Sequence, residues 1–287
     1  MNTTDKIAMS EVLSGVREGV VLCGDSLEIL PTLADCSADL ICTDPPYGHN
    51  NADNGDLISR IRHALGQVST SDPEHIRPIA NDGPEANELF RAVLPHFRRV
   101  LKPGCCCCCC CCGGGPDPQF ARWSLWMDEV FQFKQMVVWD KGPMGMGWHY
   151  RRSYETVLVA QVPGAACKWY GGREVENIIR PGDYGIRKII PQADSHPTPK
   201  PVALAMHFIG LHSEPEDVVL DPFAGYGWVC EAAKLMGRRY VGIEIDAGFA
   251  AVARARLEAV ETAVPMRERE NGQLSLFADL PKGDPHA

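Results

Sequence analysis

Between residues 217 and 246 an apolar run, Asp217 to Leu220, ends in the loop Asp221-Pro222-Phe223-Ala224-Gly225-Tyr226-Gly227. A helix-length segment follows from Val229 to Met236, and a second apolar run from Tyr240 closes on Gly242-Ile243-Glu244-Ile245-Asp246. Strand, glycine loop, helix and acid-ended strand in this order make a β-α-β unit, whose strands run parallel. The glycines admit a ligand close to the backbone, the helix N-terminus favours negative charge, and Glu244 is placed to take two ribose hydroxyls. The unit reads as a half-site for a nucleoside cofactor.

The rest of the chain alternates in the same way. Strands are expected at Val20–Cys23, Asp39–Thr43, Met136–Trp139 and Thr156–Ala160, with helices at Ser26–Leu33, Glu85–Val100, from Pro118, Pro201–His212 and Phe249–Val260. Leu89, Val93, Leu94 and Phe97 recur at helical spacing, and Lys102-Pro103-Gly104 is expected to end that helix. Residues 48–83 read as a long polar loop with some helix near Leu57–Leu65, and 162–195 as a small irregular insert. Such alternation argues for a mostly parallel α/β sheet.

Eight of the 13 cysteines are consecutive, Cys105 to Cys112. Neighbouring side chains on a strand point to opposite faces, whereas zinc sites space their cysteines by about two to four residues. The run therefore reads as a strand buried on both faces, with a metal cluster as the rival, and the odd count speaks for a reducing, cytoplasmic setting rather than a disulfide framework. No apolar run approaches the ~18 residues of a membrane span, and the first residues lack a secretory pattern. A net charge of −9 excludes a wholly basic nucleic-acid coat but not a local basic patch.

At Asp44-Pro45-Pro46-Tyr47 two prolines forbid continuation of the preceding strand. The rigid turn holds the Asp44 carboxyl and the Pro45 carbonyl still beside a flat tyrosine ring. Two acceptors next to a stacking face form a clamp for an exocyclic amino group on a planar heterocycle.

Together these segments resemble the S-adenosylmethionine-dependent DNA amino-methyltransferases of the β class. Asp44, Pro45, Pro46 and Tyr47 match the family's catalytic motif, residues 221–227 its AdoMet motif, and His196-Pro197-Thr198-Pro199-Lys200-Pro201 the segment before it, over roughly residues 20–260. The resemblance implies a circularly permuted Rossmann-like fold with a mostly parallel seven-stranded sheet and a small recognition insert. The catalytic half would span 20–161 after a lead of 1–19, the insert 162–195, the AdoMet half 196–262, and a tail 263–287. It implies that Asp25 contacts the adenine of S-adenosylmethionine and Glu244 its ribose. Phe223 would pack on the cofactor, Thr198 and Lys200 would lie near its carboxylate, and His196, Asp221, Ala224, Gly225 and Gly227 would complete that site. The chain departs from the family at Trp228, where Thr or Ser is usual.

The implied reaction is methylation of adenine N6 in flipped-out bases of duplex DNA, with N4-cytosine methylation as the alternative because that branch more often has Ser in place of Asp44. An RNA or protein-amide methyltransferase and a catalytically silent DNA-binding protein are the further rivals. From 141 to 200, nine basic residues face five acidic ones. Arg151, Arg152, Lys168, Arg173, Arg187 and Lys188 are the candidate DNA contacts. In the tail, Gln273-Leu274-Ser275-Leu276-Phe277 resembles a peptide that docks on the DNA polymerase sliding clamp, through Gln273, Leu274, Leu276 and Phe277. Relatives of the class are often homodimers; no membrane partner is expected.

Overall fold

The computed structural model describes residues 3–48, 79–111, 119–143, 149–150, 152–186 and 200–262. The chain opens on α1 (Thr3–Leu13), which the sequence did not announce and which buries Ala8, Met9 and Val12. Then follow β1 (Gly19–Cys23), α2 (Ser26–Ile29) with a 3-10 turn, β2 (Ala38–Thr43), α3 (Ala86–Val100), β3 (Leu101–Cys111) and α4 (Gln119–Val130). The antiparallel pair β4 (Gln132–Asp140) and β5 (Tyr154–Gln161) comes next, then β6 (Ile178–Ile179), α5 (Val202–His212), β7 (Val218–Asp221), α6 (Trp228–Leu235), β8 (Arg239–Glu244) and α7 (Ala247–Thr262).

The strands form one sheet in the order β1-β8-β7-β2-β3-β5-β4-β6. Pairing is parallel from β1 to β3 and between β4 and β6, and antiparallel on both sides of β5. The eighth strand is a two-residue addition to the seven expected, contributed by the insert. Helices cover both faces. One core layer holds Met9, Ile29, Phe90, Phe97, Trp123 and Met127, from α1 to α4; the other holds Leu204, Phe208, Val229 and Ala253, from α5 to α7.

Cys105 to Cys111 lie inside β3, and Cys105 to Cys109 are buried on both of its faces. Cys105, Cys107 and Cys109 point into the first layer and Cys106 and Cys108 into the second. Burial pushes the Cys107 thiol well above its ordinary range, so it packs as a neutral small hydrophobe.

The helix before Lys102-Pro103-Gly104 ends close to where it was expected to, and the tripeptide itself lies inside the next strand. The helix stops at Val100 and the strand begins at once, with a bulge between the pairs Ala38–Leu101 and Leu40–Cys106. Lys102 is held to the sheet by both carboxylate oxygens of Asp39, at 2.8 Å each. Gly104 has φ +83°, and a Cβ there would meet the Ala166 carbonyl at 2.3 Å, so the bulge needs glycine.

Candidate active site

The carboxyl ends of β1, β8, β7 and β2, adjacent in the sheet, build one cleft that opens to solvent. Ligands in open α/β sheets bind at this edge. The diproline turn and the glycine loop stand side by side because β2 pairs directly with β7, Leu40 against Val219 and Ile41 against Leu220.

The glycine-loop side is built around Glu244. Its carboxylate accepts the Gly225 N–H at 2.7 Å and the Asp246 N–H at 2.8 Å. Burial raises its pKa while these backbone bonds pull it down. Each carboxylate oxygen has a second lone pair, so Glu244 can still accept hydroxyl donors. Phe223, Ile243, Ile245 and Phe249 supply an apolar wall, and Asp25 stands at the end of β1. Asp25 also caps α2, its Oδ1 accepting the Leu27 N–H at 2.8 Å. An acid for vicinal hydroxyls, an apolar wall for a flat base and a second carboxylate fit the nucleoside portion of S-adenosylmethionine.

Three residues assigned to this site by resemblance stand behind the cleft rather than in its wall. Asp221 is 1% exposed; its Oδ1 accepts the Thr43 hydroxyl at 2.6 Å and the Phe223 N–H at 3.1 Å. It ties β7 to β2, and burial pushes its carboxyl up to about 7. Ala224 is fully buried and donates its N–H to the Ile243 carbonyl. Gly227 has φ +83°, and a Cβ would lie 2.9 Å from the Ala253 Cβ, so it serves helix packing. Gly227→Ala is expected to lower stability by about 2 kcal/mol, from left-handed strain plus the contact with Ala253. Thermal unfolding checks it, and an unchanged midpoint would refute the packing role. Trp228, the departure from the family pattern, is 2% exposed and packs in the second core layer.

Asp44, Pro45, Pro46 and Tyr47 all line the cleft. Asp82, which the sequence reading passed over, holds the turn by accepting the N–H groups of Tyr47 at 3.0 Å and Gly48 at 2.9 Å. Its signal was local: Asn81-Asp82-Gly83-Pro84 is dense in turn formers. The Gln119 amide donates to the Tyr47 carbonyl at 3.1 Å.

Lys200 does not line the cleft beside a cofactor carboxylate. Its ammonium is 3% exposed and donates to Asp44 Oδ2 at 2.6 Å and to the Tyr47 hydroxyl at 3.0 Å. Asp44 Oδ1 is buried and has no hydrogen-bond partner among the described residues. Burial pushes the Asp44 carboxyl up to about 6; Lys200 opposes that shift, and the charges of Glu155 and Asp82 add to it. The motif thus holds one committed carboxylate oxygen and one buried acceptor whose hydrogen-bonding capacity is unused among the described residues.

The basic candidates divide. Lys168 is corrected: its ammonium pairs with Asp39 at 3.0 Å and Asp217 at 3.2 Å, at the amino ends of β2 and β7 and so at the edge opposite the cleft. Arg173 is exposed on the insert, and Arg152 is half-buried just before β5. Arg151, Arg187, Lys188, His196, Thr198, Gln273, Leu274, Leu276 and Phe277 lie outside the described residues, as do the expected helix near Leu57–Leu65 and Cys112. No helix among the described residues is long and apolar enough to cross a membrane.

Residues 38–255 match the N6/N4 methyltransferase family, described as DNA methylase. The DNA adenine methyltransferase YhdJ of Escherichia coli K12 is 34% identical over an alignment covering 94% of this chain and 95% of that protein. The type II methyltransferase M2.DpnII of Streptococcus pneumoniae is 26% identical, over 88% and 94%. Among solved structures, a DNA modification methylase from Thermus thermophilus, TTHA0409, complexed with S-adenosyl-L-methionine, superposes with a TM-score of 0.58 at 21% identity, covering 85% of this chain and 96% of that one. The cytosine-N4-specific PvuII DNA methyltransferase superposes at 0.62 and 17%, covering 89% and 91%. At these identities the structural likeness concerns the fold.

Proposed function

The chain belongs to the N6/N4 DNA methylase family, and from that premise we propose that it methylates the N6 amino group of adenine in duplex DNA with S-adenosylmethionine as donor. The observation that carries this reading is the buried Asp44 Oδ1, which has no hydrogen-bond partner among the described residues, in a motif that lines a cleft whose other side suits a nucleoside. Adenine is favoured over cytosine by Asp at position 44 and by the name of the relative YhdJ.

Bound S-adenosylmethionine supplies an electrophilic sulfonium methyl. The adenine amino lone pair is conjugated into its ring and is a poor nucleophile, so the protein contributes mainly alignment, worth roughly 7–11 kcal/mol at best. Asp44 Oδ1 accepts one amino hydrogen and the Pro45 carbonyl accepts the other, which favours a tetrahedral nitrogen and stabilises its developing positive charge. Lys200 keeps Oδ2 occupied, so Oδ1 is the oxygen offered to the base. The base leaves the duplex at a cost of a few kcal/mol, and the ring of Tyr47 stacks against it. Arg152 and Arg173 are the described candidates for phosphate contact.

Radiolabel transfer to DNA followed by nucleoside analysis tests the reading: N6-methyladenine is expected, N4-methylcytosine would reverse the base assignment, and no label in DNA would overturn the function. Asp44 must be ionised to accept without donating. With its carboxyl near 6 in the folded protein, transfer is expected to fall as pH drops through about that value and to be level above it. A rate unchanged down to pH ~5 would contradict that requirement.

A further inference from the structure

Glu155, on β5 opposite Trp139, lies behind the Asp44 motif and away from the cleft wall. Its Oε1 is 2.6 Å from the Lys141 ammonium, and its Oε2 is 3.6 Å from that of Lys200. The four groups form a line, Lys141–Glu155–Lys200–Asp44, with the Tyr47 hydroxyl also on Lys200. Only 3% of the Lys200 side chain and 13% of the Glu155 side chain are exposed, so neither charge has bulk water to replace a lost partner. With both acids ionised, the two carboxylates and two ammonium groups cancel.

A single buried ammonium therefore holds both residues that would touch the base, and something must fix that ammonium. Its main chain is fixed by Tyr226: the Lys200 N–H donates to the Tyr226 oxygen at 2.6 Å, and that hydroxyl donates to the Lys200 carbonyl at 2.5 Å. Its charged end is flanked by Asp44 on one side and Glu155 on the other.

Resting on the function proposed above, we propose that Glu155 is a positioning residue of methyl transfer, acting through Lys200 to set the Asp44 carboxylate against the target amino group and the Tyr47 ring against the target base. A packing role alone would leave the titration of Asp44 where it is. A charge role would not, because the Glu155 negative charge raises the proton affinity of Asp44. The other groups facing Asp44 are Lys200 before α5, Asp82 before α3, Asp221 at the end of β7, Cys42 on β2, and Tyr47 and Tyr226. Each of these residues keeps its identity in the Glu155 variants, and of them Lys200 is the one that Glu155 itself pairs with. Glu155→Gln keeps the shape and removes the charge; Glu155→Asp keeps the charge and shortens the reach.

The experiment compares the full-length wild type, Glu155→Gln and Glu155→Asp for kcat and KM across pH ~5–8, using labelled S-adenosylmethionine and duplex DNA, with calorimetric S-adenosylmethionine binding as the check on folding. In Glu155→Gln, cofactor affinity is expected to stay within ~3-fold while kcat falls about 10-fold or more, the pattern of lost alignment. Its acid limb is expected to move to lower pH, whereas Glu155→Asp keeps the wild-type limb. An active wild type with an unshifted limb in Glu155→Gln overturns this role alone, as does a loss of cofactor affinity that matches the loss of kcat. A wild type that puts no methyl on DNA overturns the function and this role with it.

Discussion

Asp44→Ala is expected to lower kcat for DNA methylation by about 10²–10³-fold while affinity for S-adenosylmethionine stays within ~3-fold. The separation follows from the architecture of the cleft. Glu244 ends β8, Phe223 and Asp25 lie just after β7 and β1, and none of the hydrogen bonds of Glu244 and Asp25 goes to Asp44. Removing the Asp44 carboxyl deletes the buried Oδ1 acceptor and leaves Lys200 facing Tyr47 and Glu155. Asp44→Asn tests the chemistry more narrowly, because it keeps the volume, replaces one acceptor oxygen by a donor, and leaves a single oxygen that cannot serve both Lys200 and an amino hydrogen. Single-turnover transfer and calorimetric cofactor binding measure the two halves independently. If Asp44→Ala retains more than about a tenth of the wild-type rate, electrostatic stabilisation by this carboxyl is the wrong account.

What the sequence showed was local. The diproline turn and the strand–glycine–helix–acid unit are legible because breakers and periodicity act over a few residues. Their meeting at one edge follows from parallel pairing of β2 with β7. What stayed hidden depends on partners far along the chain. Lys168 looked like one of several surface cations, and its partner Asp39 is 129 residues away. Lys200 looked like part of a cofactor segment, and its ammonium belongs to Asp44, 156 residues away. Proline and glycine at 103–104 marked the end of the helix, which stops at Val100, but not the bulge that the pairing of Lys102 with Asp39 holds in the sheet. Gly227 looked like a ligand glycine, and the obstacle to a side chain there is α7. Residue type reveals which chemistry is present; the fold decides which partner receives it.

Asp39→Ala is expected to cost about 2–3 kcal/mol at pH 7. Asp39 is 1% exposed at the amino end of β2. It accepts from Lys102 at 2.8 Å, from Lys168 at 3.0 Å and from the Val218 N–H at 3.1 Å, joining the bulge of β3, the insert and the start of β7. The variant leaves the buried Val218 N–H without this acceptor. The two lysines limit the loss, since their side chains are 41% and 30% exposed and can turn to water. Burial alone would raise the Asp39 pKa, but the Lys102, Val218 and Lys168 bonds outweigh it and hold the folded value below the ordinary 3.8. A depressed carboxyl stabilises the fold above the unfolded value and loses that contribution as pH falls through the folded one. The wild type should therefore unfold about 5 °C or more above Asp39→Ala at pH 7. The electrostatic part of that gap should close as pH drops well below ~4. Thermal unfolding at both pH values measures it; a gap of equal size at each would show that the carboxyl acts through shape and not through charge.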